Sequence, residues 1–426
     1  MPTPPHESTY DALETRAPAQ RESDLMARLA GQVAHAQAHT TAMAEALRGV
    51  DAAAVTTREA LARLPVTRKH ELLQRQKALR ESDPFGGYSA VGWGHARPPA
   101  AVALRVFGSP GPIYEPEGRA PDYWRMARAL HAAGFRAGDL VHNCFSYHFT
   151  PAGSMMETGA HALGCTVFPG GIGQTEMQVQ TIAELKPAGY IGTPSFLKLI
   201  VEKAAELALP MPSLRKASVG GEAFPTSLRD WLQERGIEAY QSYGTADLGL
   251  IAYETAAREG LVLDEGVIVE IVRPGTGDPV AEGEVGEVVV TTLNPDYPLI
   301  RFGTGDLSAV LPGRCPTGRT NTRIRGWLGR ADQTAKVRGM FVHPSQVADI
   351  VRRYPEALKA RLIISGEMAD DRMALHVEVA QPADGLVERI AQSVRDVTKL
   401  RGEVVLCAAG SLPNDGKVID DTRRNA

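Results

Sequence analysis

Between about Ser23 and Arg75 apolar residues recur at helical spacing, as at Leu25, Leu29 and Val33, in a stretch rich in Ala, Leu, Gln and Arg. A period near 3.6 marks amphipathic helices, so residues 1–80 are expected to form a helical arm. After Pro84-Phe85-Gly86-Gly87 the pattern changes to short apolar runs that alternate with amphipathic stretches. WRMARALHAAG precedes GDLVHNCF, then come GCTVFPGG and MQVQTIAELKPAGYIGTPSFLKLIV. Alternating strands and helices predict a parallel or mixed sheet covered by helices.

Around residue 260 the period falls to two. VIVEIVRPGTGDPVAEGEVGEVVVTTL predicts β-rich segments joined by a turn containing Pro274, Gly275 and Gly277, hence a hairpin or small β-subdomain. Beyond Gly329-Arg330-Ala331-Asp332 the chain starts again. AKVRGMFVHPSQVADIVRRYPE, RLIISGE, MALHVEVA and VERIAQSVRDVTK give a βαββα-like order suited to an independent small domain. The expected fold is therefore α/β. A large N-terminal domain, 1–331, has mixed sheets covered by helices plus a β-subdomain, and a small α+β lid, 332–426, follows a boundary near Asp332.

A chain of 426 residues exceeds one compact core, which agrees with two domains. The 46 Lys and Arg against 50 Asp and Glu leave a net charge of -4, with nothing to draw the molecule to nucleic acid or anionic lipid; small molecules are the expected partners. The N-terminal segment carries prolines and acids where a signal peptide needs a basic start and an apolar run, and no segment is apolar for long enough to span a bilayer. A cytoplasmic enzyme is expected. Cys144, Cys165, Cys315 and Cys407 show no CxxC spacing, which argues against a disulfide framework and against a self-evident zinc site.

The strongest chemical signal is a series in fixed order: Tyr243-Gly244-Thr245-Ala246-Asp247, then RFGTGDLS ending at Ser308, then GRADQTAKVRG at 329–339, then Gly416-Lys417. With these, LPVTRKHELL followed by DPFG at 83–86, TPSFLKLI at 193–200 and GGEAFP at 220–225, the chain resembles the acyl-adenylate-forming superfamily, and within it the phenylacetate-CoA ligase branch. Similar strings there read YGxxE, RYRTGDLS, GRxDDxIKVRGxxVFPSQVE and a terminal GKxxR-type segment. The resemblance covers nearly the whole chain. It implies ATP or AMP, Mg²⁺ and coenzyme A as cofactors, a carboxylic acid of aryl or arylacetic type as substrate, and a homodimer.

Attack of a carboxylate on the α-phosphate of ATP needs hydrogen-bond donors, a cation and a metal where negative charge builds up. Thr245 can donate its hydroxyl to an α-phosphate oxygen, Asp247 can hold Mg²⁺, and Tyr243 offers a flat face beside a purine, with Gly244 as the turn between them. Taken alone, this string equally describes a strand ending in a turn with an N-capping Asp. Asp306 follows two glycines that let the backbone turn tightly and could accept from ribose hydroxyls, although acids after glycine turns are common in hairpins. Lys417, on a Gly-Lys tip, is the cation proposed for the first half-reaction.

The resemblance further implies that Asp306 binds the ribose, that Arg330 contacts the nucleotide, and that Asp332 is the hinge of a lid that rotates after adenylation. Lys336, Arg338 and Gly339 lie on the segment that would then complete the coenzyme A site. Gly220, Gly221 and Glu222 would stand at the adenine and acid end, with helix capping by Glu222 as the competing reading. Tyr147 and Phe149 resemble aromatics that line the acid pocket, though ordinary core aromatics fit the same pattern.

The chain departs from the family at four places. The phosphate loop, near SSGTTGKP in the family, here reads Val106-Phe-Gly-Ser-Pro-Gly-Pro-Ile-Tyr114, in which Gly108, Ser109 and Gly111 survive in kind while Pro110 and Pro112 each remove a backbone donor. Asp247 replaces Glu, and Phe302-Gly303 replaces Tyr-Arg. Of four zinc-ligand positions seen in some branch members Cys315 remains, with Thr255 and Val262 upstream, so no structural zinc is expected. The function expected is an ATP-dependent acid:CoA ligase. Transfer to a carrier protein or amine, and a non-catalytic nucleotide-binding or acyl-CoA-binding descendant, remain as alternatives because the loop is altered.

Overall fold

The computed structural model describes residues 9–94, 101–273, 277–331, 335–342, 344–367, 370–413 and 418–423. It is an α/β protein of two compact units, Met1–Gly221 with Leu232–Leu328, and Glu222–Trp231 with Gly329–Ala426.

In the first unit a nine-stranded sheet changes character at one strand. Thr166–Phe168, Leu140–Asn143, Gly189–Gly192, Lys216–Val219 and Glu238–Thr245 are mutually parallel neighbours. From Glu238–Thr245 onward the neighbours Gly249–Glu254, Leu261–Leu263, Arg323–Ile324 and Val310–Leu311 pair antiparallel. Helices Ala152–Ala162, Thr175–Leu185 and Pro194–Glu206 lie between the parallel strands in sequence, as crossovers between parallel neighbours require. The last begins by the usual chemistry: the Thr193 side chain accepts from Phe196 N, Pro194 holds the first turn, and Leu197, Ile200 and Ala204 form its buried stripe.

A second sheet runs Thr67–Arg68, Phe302–Ser308, Gly286–Thr292, Val267–Val272. The period-two segments form the expected antiparallel pair, but both are buried at every position. The helical arm explains this, because Leu25, Leu29 and Val33 of the helix Pro18–His39 share one core with Val267, Ile268, Val288 and Val290. The arm is thus part of the fold. Arg301 ties it down, its buried guanidinium donating to Glu270 Oε2 at 3.0 Å, Ala62 O at 2.8 Å and Gly277 O at 2.7 Å. Of the turn read from the sequence, Pro274 and Gly275 lie outside the described residues, and Gly277 takes φ +82°.

In the second unit a hairpin, Ala335–Val337 with Met340–Val342, precedes a helix, Pro344–Val351, and a four-stranded sheet. The central strands Ala357–Ser365 and Arg372–Val379 are antiparallel, and Ile419–Asp421 and Glu403–Ala408 add in parallel at the two edges. The sequence pattern gave no separate signal for these two edge strands. Leu386, Ile390 and Val394 of the helix Leu386–Thr398 pack in the same core as Leu362, Leu375 and Val377. Among the described residues no helix is long and apolar enough to cross a membrane.

Candidate active site

In open α/β sheets ligands bind outside the carboxyl ends of the strands where the order switches, and here Glu238–Thr245 is the strand at which parallel pairing gives way to antiparallel. Its carboxyl end carries the Tyr243 motif. Thr245 pairs with Gly249, so Asp247 stands in a three-residue turn. Gly244 must be glycine, because a Cβ there would lie 2.5 Å from Gly249 O. The Leu248 N–H donates to Thr245 Oγ1 at 3.1 Å, which fixes the turn and leaves the hydroxyl hydrogen for another acceptor.

Lys69 Nζ lies 2.7 Å from Asp247 Oδ2, whereas Asp247 Oδ1 is buried without a hydrogen-bond partner. Such an oxygen suits a cation. Lys69 was not among the residues picked out from the sequence. A signal existed, since Lys69 opens the helix Lys69–Ala78, where the helix dipole disfavours a cation and some carboxylate must hold it.

Asp306 is held from two sides. Tyr243 Oη donates to Asp306 Oδ2 at 2.9 Å and Trp327 Nε1 donates to Oδ1 at 3.0 Å. The first bond fixes the Tyr243 ring beside the carboxylate, and the Asp306 N–H donates to Thr304 Oγ1 at 3.1 Å. Trp327 is a second residue that pattern alone did not reveal. The absent side chain at Gly303 also has a reason: a Cβ there would meet Glu287 Oε1 at 2.7 Å and Arg68 Nη1 at 2.9 Å. Arg68, opposite Gly303 across a parallel strand pair, brings a guanidinium to that place and binds Glu287 at 2.5 Å.

The segment compared with the family's phosphate loop is a tight hairpin, with Gly108 and Ser109 inside the strand Arg105–Ser109 and Gly111 in the turn to Ile113–Glu117. This departs from the loop read in the sequence. The Gly108 N–H donates to Phe149 O at 2.7 Å. Ser109 gives its N–H to Glu115 Oε2 at 3.3 Å and its hydroxyl to Glu115 Oε1 at 2.5 Å. Burial, then the charge of Asp247, raises the Glu115 carboxyl well above the ordinary range, opposed by Lys69 and by the bonds from Ser109.

The aromatic segment also differs from expectation. Phe149 is 86% exposed with φ +60°, so it forms no buried pocket wall within the first unit. Tyr147 Oη donates to Glu157 Oε2 at 2.8 Å and accepts from Asn143 Nδ2 at 2.8 Å; burial, followed by Glu157, raises its hydroxyl pKa. Gly220 approaches the neighbouring strand, where a Cβ would stand 3.0 Å from Ser242 O, and Gly221 takes φ +81°. Glu222 opens a segment that belongs with the second unit.

In that unit the Arg330 guanidinium and the Lys336 ammonium lie 5.6 and 5.4 Å from the centroid of the Phe341 ring. Arg338 and Gly339, at φ +47° and +81°, make the two-residue hairpin turn. Asp371 holds it: Arg338 N donates to Asp371 Oδ2 at 3.0 Å, Arg338 Nη2 to Asp371 O at 2.9 Å, and Arg423 Nη1 to Asp371 Oδ1 at 2.8 Å. Lys417 and Asp332 lie outside the described residues. At the former zinc positions Cys315 Sγ lies 3.4 Å from Thr255 Oγ1 and 3.1 Å from Thr317 Oγ1.

Residues 122–294 match the AMP-binding enzyme family. The chain is 30% identical over 401 residues to the phenylacetate-coenzyme A ligase of Thermus thermophilus, covering 86% of this chain and 87% of that one. It is 29% identical to the Escherichia coli enzyme of the same name, with 84% of each covered. The structure superposes on 2-hydroxyisobutyryl-CoA ligase, crystallised with 2-hydroxyisobutyryl-AMP and coenzyme A in its thioesterification state, with a TM-score of 0.82 at 26% identity over 97% of this chain and 92% of the other. The doubly held Asp306, the half-paired Asp247 and the strand-order switch thus stand in a chain that belongs to the phenylacetate-CoA ligase family of AMP-forming acid:thiol ligases.

Proposed function

We propose that this ligase activates an aryl or arylacetic acid as its acyl-AMP and passes the acyl group to coenzyme A. The reaction class, ATP-dependent joining of an acid to coenzyme A through an acyl-adenylate, goes with the family. The choice of acid rests on the names of the relatives, phenylacetate-coenzyme A ligases. One observation carries the assignment of roles: Asp247, with one oxygen on Lys69 and the other buried and unpartnered, stands in the turn at the strand-order switch.

Asp247 Oδ1 fits Mg²⁺, which would supply charge compensation for the polyphosphate. Lys69 is then the fixed cation beside it, and Thr245 donates its hydroxyl to the α-phosphate. Asp306, oriented by Tyr243 and Trp327, accepts from the ribose hydroxyls, and the Tyr243 ring lies along the purine. Gly220 and Gly221 give the ligand room near the backbone. Lys417 is assigned to the adenylation step, Asp332 to the hinge between 1–331 and 332–426, and Arg330, Lys336, Arg338 and Gly339 to nucleotide and coenzyme A. The cytoplasm, where ATP and coenzyme A are supplied, is the proposed location.

The test is AMP release from ATP·Mg²⁺ and coenzyme A with phenylacetate, benzoate and short aliphatic acids. AMP release that requires an aromatic acid supports the proposal. Preference for an aliphatic acid overturns the substrate class, and no AMP release with any acid overturns the ligase reading.

A further inference from the structure

The phosphate hairpin holds a buried carboxyl group of its own. Phe107 pairs with Glu115 and Ser109 with Ile113, so Ser109 and Glu115 project from the same face of the two-stranded ribbon. Glu115 exposes 0% of its surface, and its carboxyl accepts both the hydroxyl and the N–H of Ser109, at 2.5 and 3.3 Å. The Gly108 N–H is already given to Phe149 O, and Pro110 and Pro112 have none. Across residues 108–112 this leaves the Gly111 N–H as the backbone donor without a protein acceptor among the described residues.

Loops that receive the β- and γ-phosphates do so with backbone N–H groups and hydroxyls such as these. A carboxylate oxygen accepts from the same donors as a phosphate oxygen. We propose that Glu115 is an internal acceptor that occupies the Ser109 hydroxyl in the phosphate hairpin and determines nucleotide selectivity, weakening the hold on the β- and γ-phosphates of ATP while leaving AMP unaffected. The inference rests on the ligase reading for its ligand. Two features make it specific to the outer phosphates. Glu115 engages the hairpin, while the residues assigned to the nucleoside, Tyr243 and Asp306, bond to each other and to Trp327. Glu115 also lies close enough to Asp247 and Lys69 to interact with both, so it stands beside the groups assigned to the polyphosphate.

The experiment is calorimetric titration of the full-length protein and of Glu115→Ala and Glu115→Gln with ATP·Mg²⁺ and, separately, AMP, with an unfolding midpoint recorded for each. Glu115→Ala frees the Ser109 hydroxyl, so the ratio of the ATP dissociation constant to that of AMP should fall about fivefold or more, with the AMP constant unchanged. Glu115→Gln keeps an oxygen acceptor for Ser109 but sets an amide donor beside it; its ratio should fall by a smaller factor, and it serves if the alanine variant does not fold. An unchanged or higher ratio in a folded variant overturns the proposal. Native protein that shows the expected ratios without AMP release from any acid leaves the selectivity standing and removes the ligase reading.

Discussion

Lys69 Nζ lies 2.7 Å from Asp247 Oδ2, and the carboxylate's other oxygen is buried without a donor. The aspartate is therefore half neutralised by a residue 178 positions earlier in the chain, and half open. Removing one partner of a fully buried pair costs about 3–5 kcal/mol because a charge is left stranded. The Lys69 side chain is 36% exposed, so water relieves part of this, and Lys69→Ala is expected to cost about 2 kcal/mol in denaturant unfolding. Adding Asp247→Asn to Lys69→Ala should return most of that stability while acyl-AMP formation stays lost. Recovery of adenylation in the double variant would mean that neither group serves the phosphates.

The bonds from Tyr243 and Trp327 make the Asp306 carboxylate a prearranged acceptor. Tyr243→Phe removes a hydrogen bond to a charged group, worth about 1.5–3 kcal/mol, part of which falls on stability. AMP affinity is expected to drop about tenfold, and Asp306→Ala should weaken ATP and AMP binding alike. Calorimetry checks both, and unchanged affinities in Asp306→Ala would sink the ribose assignment.

The alternation of strands and helices was readable because apolar periodicity records which faces are buried. The string Tyr243 to Asp247 could be picked out because its spacing is local, confined to one strand end and its turn. Lys69, Glu115 and Trp327 escaped because each acts on a residue that is distant in sequence or across a hairpin, which only strand pairing brings near. Phe149 shows the converse. Its place in an aromatic string suggested a pocket wall, but the backbone turns through φ +60° there and sends the ring to the surface of the first unit. Gly303 looked like a loss until the Thr67–Arg68 strand paired beside it and brought Arg68 into the space.

Lys417 is assigned to adenylation alone, so Lys417→Ala should abolish acyl-AMP formation, by about a hundredfold or more, and leave thioester formation from supplied acyl-AMP largely intact. Asp371, whose carboxylate accepts the Arg338 N–H and the Arg423 guanidinium while its backbone carbonyl accepts Arg338 Nη2, makes the complementary case. Asp371→Ala should slow the coenzyme A step more than AMP formation. Single-turnover measurement of the two steps decides; equal losses in both variants would refute a division of labour between these residues.

Asp122 gives a prediction of pH dependence away from the nucleotide residues. Its Oδ2 accepts the Ala127 N–H at 3.1 Å at the start of the helix Met126–Ala132, while Oδ1 is buried without a donor. Burial, with a further push from Asp264 and against the Ala127 bond, raises the carboxyl from its ordinary 3.8 to about 7. An unfolded chain releases this proton near pH 4 and the folded protein keeps it to about 7, so between these values the native state binds more protons and its stability falls as pH rises. Below that window both states are protonated, above it both are ionised, and neither region has a slope from this group. Asn tolerates the φ of +47° at this position and keeps an oxygen for Ala127. Asp122→Asn should therefore gain on the native protein by about 1 kcal/mol per pH unit across the window. Urea unfolding of both proteins at pH 5 and pH 7.5 measures the difference, and parallel stabilities at the two values would show that the carboxyl titrates as it does in water.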